Sequence, residues 1–170
     1  EILRCLVGSE MCIRDSYNRM AYEKLAMPLF HQCMQENQPV GIMFVDADHL
    51  KYINDTFGHD MGNLAISSIA SGIRQCCPQS AVSMRYGGDE FVVLIPDYDQ
   101  EKAEELKSSI EHTLQKMSDT HRSGFRIEAS IGYVIADRSS SSLNDCINEA
   151  DEEMYRLKRA RKAERVDAPL

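Results

Sequence analysis

Two short apolar runs constrain the fold more than any other feature of this sequence. They occupy residues 41–45 (Gly-Ile-Met-Phe-Val) and residues 91–95 (Phe-Val-Val-Leu-Ile). Each run has the length of a strand and is too short for a core helix. The first run ends abruptly at Asp46-Ala47-Asp48, and the second is closed by Pro96. The pattern predicts two buried strands, the first of which emerges at a functional edge.

The segments around these strands alternate between helical and extended patterns. Apolar spacing predicts a helix over 17–35 that is bent or interrupted at Pro28, and a second helix over 62–76 that ends before Pro78. Residues 81–86 start a hairpin whose Gly87-Gly88 turn is expected to need positive φ, and residues 125–135 alternate as a strand. Further helices are predicted over 101–117 and 143–163, the last capped by Ser142. This order predicts an α/β (α+β) sandwich with a mostly antiparallel sheet flanked by helices.

Composition limits the partners of the chain. The formal charge of -8 over 170 residues argues against a nucleic-acid polymer, because such partners require a surplus of Lys and Arg. No apolar run approaches the roughly 20 residues of a membrane helix, so we expect no membrane contact by this segment. The six cysteines form neither a C-x-x-C pair nor a regular framework, which favours reduced thiols in a cytoplasmic protein. We expect one domain over 17–165, a non-native or disordered stretch over 1–16, and a tail over 166–170.

Acidic residues stand at two strand ends that are far apart in the chain. Asp46 and Asp48 follow the first buried strand, and Asp89 and Glu90 follow the Gly-Gly turn. If the hairpin pairs beside the first strand, Asp46 and Asp89 converge, and such like charges are tolerable only when a cation neutralises them. Mg²⁺ suits these oxygen ligands because it prefers one or two carboxylates together with waters and substrate phosphates. The sequence therefore predicts a magnesium site that binds the phosphates of a substrate.

Other interpretations were weighed against this one. Asp-x-Asp after a strand is often a polar loop start, and Gly-Gly-Asp is often a plain hairpin turn; either segment alone favours that interpretation. An EF-hand starting at Asp46 fails because Leu50 and Lys51 occupy positions five and six of its loop. A phosphohydrolase pair at His59-Asp60 lacks further histidine ligands at workable spacing.

Taken together, two segments resemble the GGDEF family of diguanylate cyclases. They are residues 46–59 (DADHLKYINDTFGH) and residues 85–91 (RYGGDEF). Tyr17-Asn18-Arg19, residues 150–155 and Lys158 extend the resemblance over about 17–162. The resemblance implies a fold related to the palm of nucleotidyl cyclases, with a five-stranded sheet, and condensation of two GTP molecules into cyclic di-GMP with release of pyrophosphate. It also implies Mg²⁺ or Mn²⁺ as cofactor, a head-to-head homodimer, and an upstream sensory or signalling domain.

The resemblance also assigns roles to individual residues of this chain. The implied metal ligands are Asp46, the carbonyl of Ala47, and Asp89. The implied catalytic residues are Asp89, Glu90 and Lys51. The implied substrate ligands are Asn54, His59, Asn63, Lys158 and Lys162. Within these sets, Asp89 would help to deprotonate the attacking 3′-hydroxyl, Lys51 would stabilise charge on the phosphates, and Lys158 would reach the terminal phosphates.

The chain departs from the family pattern where the base would bind. Asn63 stands where the family usually has aspartate, which replaces one acceptor facing guanine with an NH₂ donor. A mispaired buried polar group costs about 1–3 kcal/mol, so adenine acceptance or reduced turnover with GTP follows as a hypothesis. Alternatively, Asn63 still accepts one guanine proton and caps the following helix. In addition, Lys162 replaces a frequent arginine, and Pro78 and Ala81 replace the product-inhibition motif.

These departures leave two alternatives to an ordinary cyclase open. The first is a catalytically weak or inactive GTP-binding regulatory module that signals through a partner domain. The second is a cyclase with relaxed purine specificity because of Asn63.

Overall fold

The chain folds as helices packed on a sheet. The computed structural model describes residues 20–121, 124–140 and 142–166, with the backbone alone for 121 and 162–166. A π-helical turn, Tyr22–Ala26, leads into the first helix. The helices are α1 (Met27–Gln35), α2 (Leu50–Phe57), α3 (His59–Cys76), α4 (Gln100–His121) and α5 (Leu143–Val166). The strands are β1 (Val40–Ala47), β2 (Val82–Arg85), β3 (Glu90–Pro96) and β4 (Ala129–Ala136). The predictions made for residues 1–16 and for the tail beyond residue 166 lie outside the described residues.

The sheet is antiparallel throughout its described part. Its four strands have the order β2-β3-β1-β4, and each neighbouring pair is antiparallel. The predicted α+β sandwich is therefore confirmed, whereas the five-stranded sheet is wrong for the residues that the structure covers. After β4, the chain enters a turn in which the Ser140 N–H donates to the Asp137 carbonyl at 2.9 Å, and α5 follows.

Both faces of the central strands are buried, which explains their unbroken apolar sequence. Alternate residues of β1 project to opposite faces. Ile42 and Phe44 belong to the core formed with α1 and α5, whereas Met43 and Val45 belong to the core formed with α3 and α4. Residues 91–95 of β3 are all buried as well. The two buried strands predicted from the apolar runs are confirmed.

Helix α5 lies close to β4 because Gly132 has no side chain. A Cβ added at Gly132 would lie 2.2 Å from the backbone nitrogen of Met154 and 2.3 Å from the carbonyl oxygen of Ala150. Such an approach between a strand and a helix backbone is open only to glycine. It brings the next turn of α5, which carries Lys158, to the end of β1.

The helices follow the predicted pattern with one omission. The helix predicted over 62–76 begins at His59 and is preceded by α2, which was not predicted. Gly58 separates α2 from α3 with a φ of 89°, a conformation that glycine adopts readily. Pro28 is the second residue of α1, next to the point where the π-helical turn passes into the α-helix. Ser142 caps α5, because its hydroxyl oxygen accepts from the Asp145 N–H at 3.1 Å. Among the helices of the described ranges, none is both long and apolar enough to cross a bilayer.

Candidate active site

Acidic side chains from β1 and β3 meet at one end of the sheet. Asp46 is the cross-strand partner of Glu90, and the Ala47 N–H donates to the Asp89 carbonyl at 3.0 Å. Directly opposed residues of an antiparallel pair project to the same face, so the Asp46 and Glu90 side chains share a face of the sheet. The hairpin therefore pairs beside β1, as the sequence predicts, and brings the two acidic strand ends together.

The prediction that the Gly87-Gly88 turn needs positive φ is wrong. Neither residue has a positive φ. The connection between β2 and β3 spans residues 86–89 and is closed by the N–H groups of Tyr86 and Gly87, which donate to the Glu90 carbonyl at 2.8 and 3.2 Å. A connection of this length does not require the positive-φ residues of a two-residue turn. A Cβ on Gly87 would lie 2.1 Å from Glu90 Oε2, whereas a Cβ on Gly88 would meet nothing within 4 Å. Gly87 therefore makes space for the Glu90 carboxylate, and Gly88 leaves the site open.

Lys158 of α5 provides the counter-charge for the acidic sheet end. Its ammonium forms one ion pair with Asp46 Oδ1 and a second with Asp48 Oδ1 at 3.0 Å. Ser130 of β4 holds Asp48 in turn, since its hydroxyl lies 2.9 and 3.0 Å from the two carboxylate oxygens. No local pattern in the sequence indicates this network, because Ser130 and Lys158 are 82 and 112 residues away from their acidic partners. The register that places Ser130 opposite Asp46 exists only in the folded sheet.

Burial and like charges shift the protonation equilibria of this cluster. The Asp46 side chain is 17% exposed. Burial raises its pKa above the usual value, Lys158 opposes that rise, and Asp89 and Asp48 reinforce it. Burial also raises the pKa of Glu90, and neighbouring acids, first Asp89, add to the effect. For Lys158, burial acts to lower the pKa, but the ion pairs with Asp46 and Asp48 raise it overall. The cluster carries more negative charge than Lys158 alone neutralises, which favours a further cation.

The donor set at the sheet end suits a hard divalent cation. Asp46 contributes a half-buried carboxylate, and Asp89 and the backbone of Ala47 lie at the same sheet end. Mg²⁺ in proteins is commonly held by one or two carboxylates, while waters and phosphate oxygens complete its octahedron. Within the part of the chain that the structure describes, no three His, Cys, Asp or Glu side chains form a metal-binding group. The fit therefore rests on two carboxylates and a carbonyl and not on a closed protein cage.

The residues predicted to recognise a base lie on the hairpin formed by α2 and α3. The Asn54 amide packs on Gly62 of α3, so closely that a Cβ at position 62 would lie 1.9 Å from Asn54 Oδ1. Asn63 follows Gly62, so the structure brings the two asparagines to adjacent parts of the hairpin. Both are half-buried, whereas His59 is exposed at the start of α3. Asn63 lies within α3 and not at its first residue, so the alternative in which Asn63 caps that helix is wrong.

The remaining predicted basic residues are distributed around the site. Lys51 is exposed in the first turn of α2. The side chain of Lys162 lies outside the described residues. Arg161, its neighbour, forms an ion pair with Glu111 of α4 at 2.5 Å, which ties the C-terminal part of α5 to α4.

A cavity of about 610 Å³ adjoins Lys158 between α4, β4 and α5. Its lining includes Asp48, Lys158 and Arg161, but not Asn54 or Asp89. Asn54 and Asn63 therefore lie outside the cavity, although His49, which directly precedes α2, also lines it. No motif in the sequence indicates it, because its walls come from segments that are distant along the chain.

The fold and the acidic sheet end define the class of the protein as an α+β domain with carboxylates arranged for a divalent cation. A profile of the family described as "Diguanylate cyclase, GGDEF domain" matches residues 15–164. The chain belongs to this family. Its fold and the motifs at residues 46–59 and 85–91 thus confirm the expected family.

Relatives and solved structures agree with this assignment. The chain is 33% identical over 147 residues to the probable diguanylate cyclase DgcJ of Escherichia coli K12, a match that covers 84% of this chain and 29% of DgcJ. It is 32% identical over 146 residues to the diguanylate cyclase VdcA of Vibrio cholerae serotype O1, covering 84% of this chain and 42% of VdcA. The chain therefore spans less than half the length of these relatives.

Two solved structures show the same fold. The active GGEEF domain of a diguanylate cyclase from Vibrio cholerae superposes with a TM-score of 0.76 at 22% identity, covering 89% of this chain and 93% of that one. The GGDEF domain of DgcB from Caulobacter crescentus, solved in complex with c-di-GMP, gives a TM-score of 0.76 at 23% identity, covering 84% and 85% of the two chains. At these identities the likeness concerns the fold alone.

Proposed function

We propose that this domain condenses two GTP molecules into cyclic di-GMP and releases pyrophosphate. The observation that carries the proposal is the meeting of Asp46, Asp89 and Glu90 at one sheet end, with Lys158 beside them. In this reaction the 3′-hydroxyl of one GTP attacks the α-phosphate of the other. Such an attack requires in-line positioning, compensation of developing charge and a proton acceptor. The groups gathered at the sheet end are of the types that meet these requirements.

The acidic residues would bind the cation and accept the proton. Asp46, the Ala47 carbonyl and Asp89 would hold the metal, for which we propose Mg²⁺, with Mn²⁺ as the alternative. A bound divalent cation offsets the negative charge that develops on the phosphate oxygens. Asp89 would help to deprotonate the 3′-hydroxyl, and Glu90, next to it, would support the metal shell.

The basic and amide side chains would bind the nucleotide. Asn54, His59 and Asn63 would contact the base at the α2–α3 hairpin. Lys51 would stabilise charge on the phosphates, and Lys158 and Lys162 would bind the terminal phosphates. Lys158 is 39% exposed, so its ammonium has space to exchange its carboxylate partners for phosphate oxygens.

The proposed reaction requires two copies of the domain. Each copy presents one GTP, so two domains must meet head to head for one 3′-hydroxyl to reach the other α-phosphate. We therefore propose a homodimer as the active state, with an upstream sensory or signalling domain that controls its formation. The substrate GTP places this activity in the cytoplasm.

A second candidate function is a GTP-binding regulatory module with little or no turnover. Asn63 favours it, because an amide in place of a carboxylate faces the base with one acceptor fewer. A cyclase with relaxed purine specificity is the third candidate and rests on the same residue.

The experiment that separates these candidates is an incubation of the purified protein with Mg²⁺ and GTP, followed by mass spectrometry. We expect cyclic di-GMP from the wild type and none from Asp89→Asn. Measurable GTP binding without product, at high protein concentration, would favour the regulatory module. Mixed dinucleotides on addition of ATP would indicate relaxed specificity. Removal of metal with EDTA followed by Mg²⁺ or Mn²⁺ identifies the cofactor.

A further inference from the structure

Gly62 occupies a position where glycine is intrinsically unfavourable. It lies within α3 and is buried, and glycine in a helix interior costs about 1 kcal/mol relative to alanine. Its φ is not positive, so the backbone conformation does not require glycine. The requirement comes from the space beside its Cα. The three atoms nearest to an added Cβ all belong to Asn54: Oδ1 at 1.9 Å, Cγ at 2.8 Å and Nδ2 at 3.3 Å.

A second glycine in the same helix provides a comparison. Gly72 is also buried in α3, and a Cβ added there would meet Leu114 Cδ2 at 2.9 Å. That neighbour is the end of a flexible apolar side chain on α4, so the Gly72 site belongs to the packing of α3 on α4. At Gly62 the neighbour is instead the functional end of a polar side chain.

We propose that Gly62 is a positioning residue, which sets the place of the Asn54 amide and through it the recognition of the purine base. This inference rests on the proposed function, which assigns a base contact to Asn54. Ordinary van der Waals contact begins at 3.4 Å, so a methyl group at position 62 would have to displace Oδ1 from its 1.9 Å separation. The displacement is about 1.5 Å, which is more than a hydrogen bond tolerates, since its donor–acceptor distance lies within about 2.7–3.2 Å. The Asn54 amide would then no longer point to where the base lies.

The experiment compares four proteins: wild type, Asn54→Ala, Gly62→Ala and the double variant. The probes are 3′-deoxy-GTP, which binds but has no 3′-hydroxyl to react, and inorganic tripolyphosphate, each with Mg²⁺ and measured by calorimetry. We expect each single variant to bind 3′-deoxy-GTP at least about tenfold more weakly, which is the usual effect of one lost hydrogen bond to a buried group. We expect the double variant to bind it no more weakly than Asn54→Ala alone. Tripolyphosphate, which has no base, should bind all four proteins equally.

Thermal unfolding of the same proteins separates positioning from a loss of folding. Gly62→Ala should lower the melting temperature in the wild-type background. In the Asn54→Ala background the same change should raise it, because the overlapping side chain is gone and alanine favours the helix. Gly72→Ala is the matched control, and should lower the melting temperature without changing the affinity for 3′-deoxy-GTP.

The outcomes of the two assays are distinct. If Gly62→Ala binds 3′-deoxy-GTP as tightly as the wild type, or if its loss adds to that of Asn54→Ala, the positioning role is overturned while the proposed function stands. If the wild type binds 3′-deoxy-GTP no more tightly than tripolyphosphate, the base contact of the proposed function is overturned and this inference with it.

Discussion

Lys158→Met should destabilise the metal-free domain and increase its response to Mg²⁺. In the wild type the Lys158 ammonium pairs with both Asp46 and Asp48, whose side chains are 17% and 13% exposed. Methionine retains most of the aliphatic length but removes the charge. The variant therefore leaves two largely buried carboxylates without the Lys158 ammonium, while Ser130 continues to donate to Asp48.

The expected loss lies between the limits for buried and exposed ion pairs. Removing one partner of a fully buried pair costs about 3–5 kcal/mol, whereas an exposed pair contributes about 1 kcal/mol or less. Lys158 is 39% exposed, so solvent screens part of its charge. We therefore expect a loss of about 2 kcal/mol, or roughly 4–8 °C in melting temperature for a domain of this size.

Urea and thermal unfolding in EDTA, and then across a Mg²⁺ titration without nucleotide, measure both effects. Because Lys158 no longer occupies Asp46, Mg²⁺ should stabilise the variant more than the wild type. Lys102→Met is the matched control: Lys102 pairs with the exposed acids Asp97 and Asp99 at 3.9 Å, so its loss should change stability by less than about 1 kcal/mol. Equal stability and equal Mg²⁺ response of wild type and Lys158→Met would refute the role of Lys158 as the counter-charge of the site.

Further predictions concern packing, thiol chemistry and base selection. Gly132→Ala should destabilise the domain by about 3 kcal/mol in urea unfolding, because the added Cβ meets helix backbone that cannot turn aside. Gly88→Ala is the control: nothing lies within 4 Å of its added Cβ, so stability should change by less than about 0.5 kcal/mol. A similar loss of stability in both variants would contradict the close packing of α5 on Gly132. Burial raises the pKa of the Cys77 thiol to about 12, so alkylation of Cys77 at pH 8 should be slow and should accelerate about tenfold per pH unit until the pH reaches that pKa. Tandem mass spectrometry locates the label, and rapid labelling of Cys77 in the native protein at pH 8 would contradict its burial. Asn63→Asp should raise the preference for GTP over ATP in cyclic dinucleotide formation, and an unchanged preference would count against the interpretation of Asn63.

Local pattern was sufficient for most of the secondary structure. The apolar runs at residues 41–45 and 91–95 became the central strands β1 and β3, because a segment buried on both faces shows its burial directly in its composition. Ser142 identified the start of α5 for a similar reason, since a cap acts within its own turn. Helix α2 was not predicted, although Leu50, Ile53 and Phe57 have helical spacing, because its eight residues are fewer than the window of about 11–18 residues in which a helical period is recognised.

The candidate site was predictable only in its parts. The sequence placed Asp46 and Asp89 at strand ends and, through the family resemblance, assigned Asn54 and Asn63 to substrate binding. It did not show that Lys158 neutralises Asp46, since nothing local relates residues 112 positions apart.

What the sequence determined by itself is therefore the set of strands and helices and the chemical type of the site, because propensity, burial and capping act over a few residues. Only the tertiary structure decided which side chains meet. Three glycines show the difference most directly. Gly58 has the positive φ that a local break between two helices demands. Gly62 and Gly87 instead leave space for the side chains of Asn54 and Glu90, which fold over them. Contacts of that kind depend on the packing of one element on another, and packing has no signature in the local order of residues.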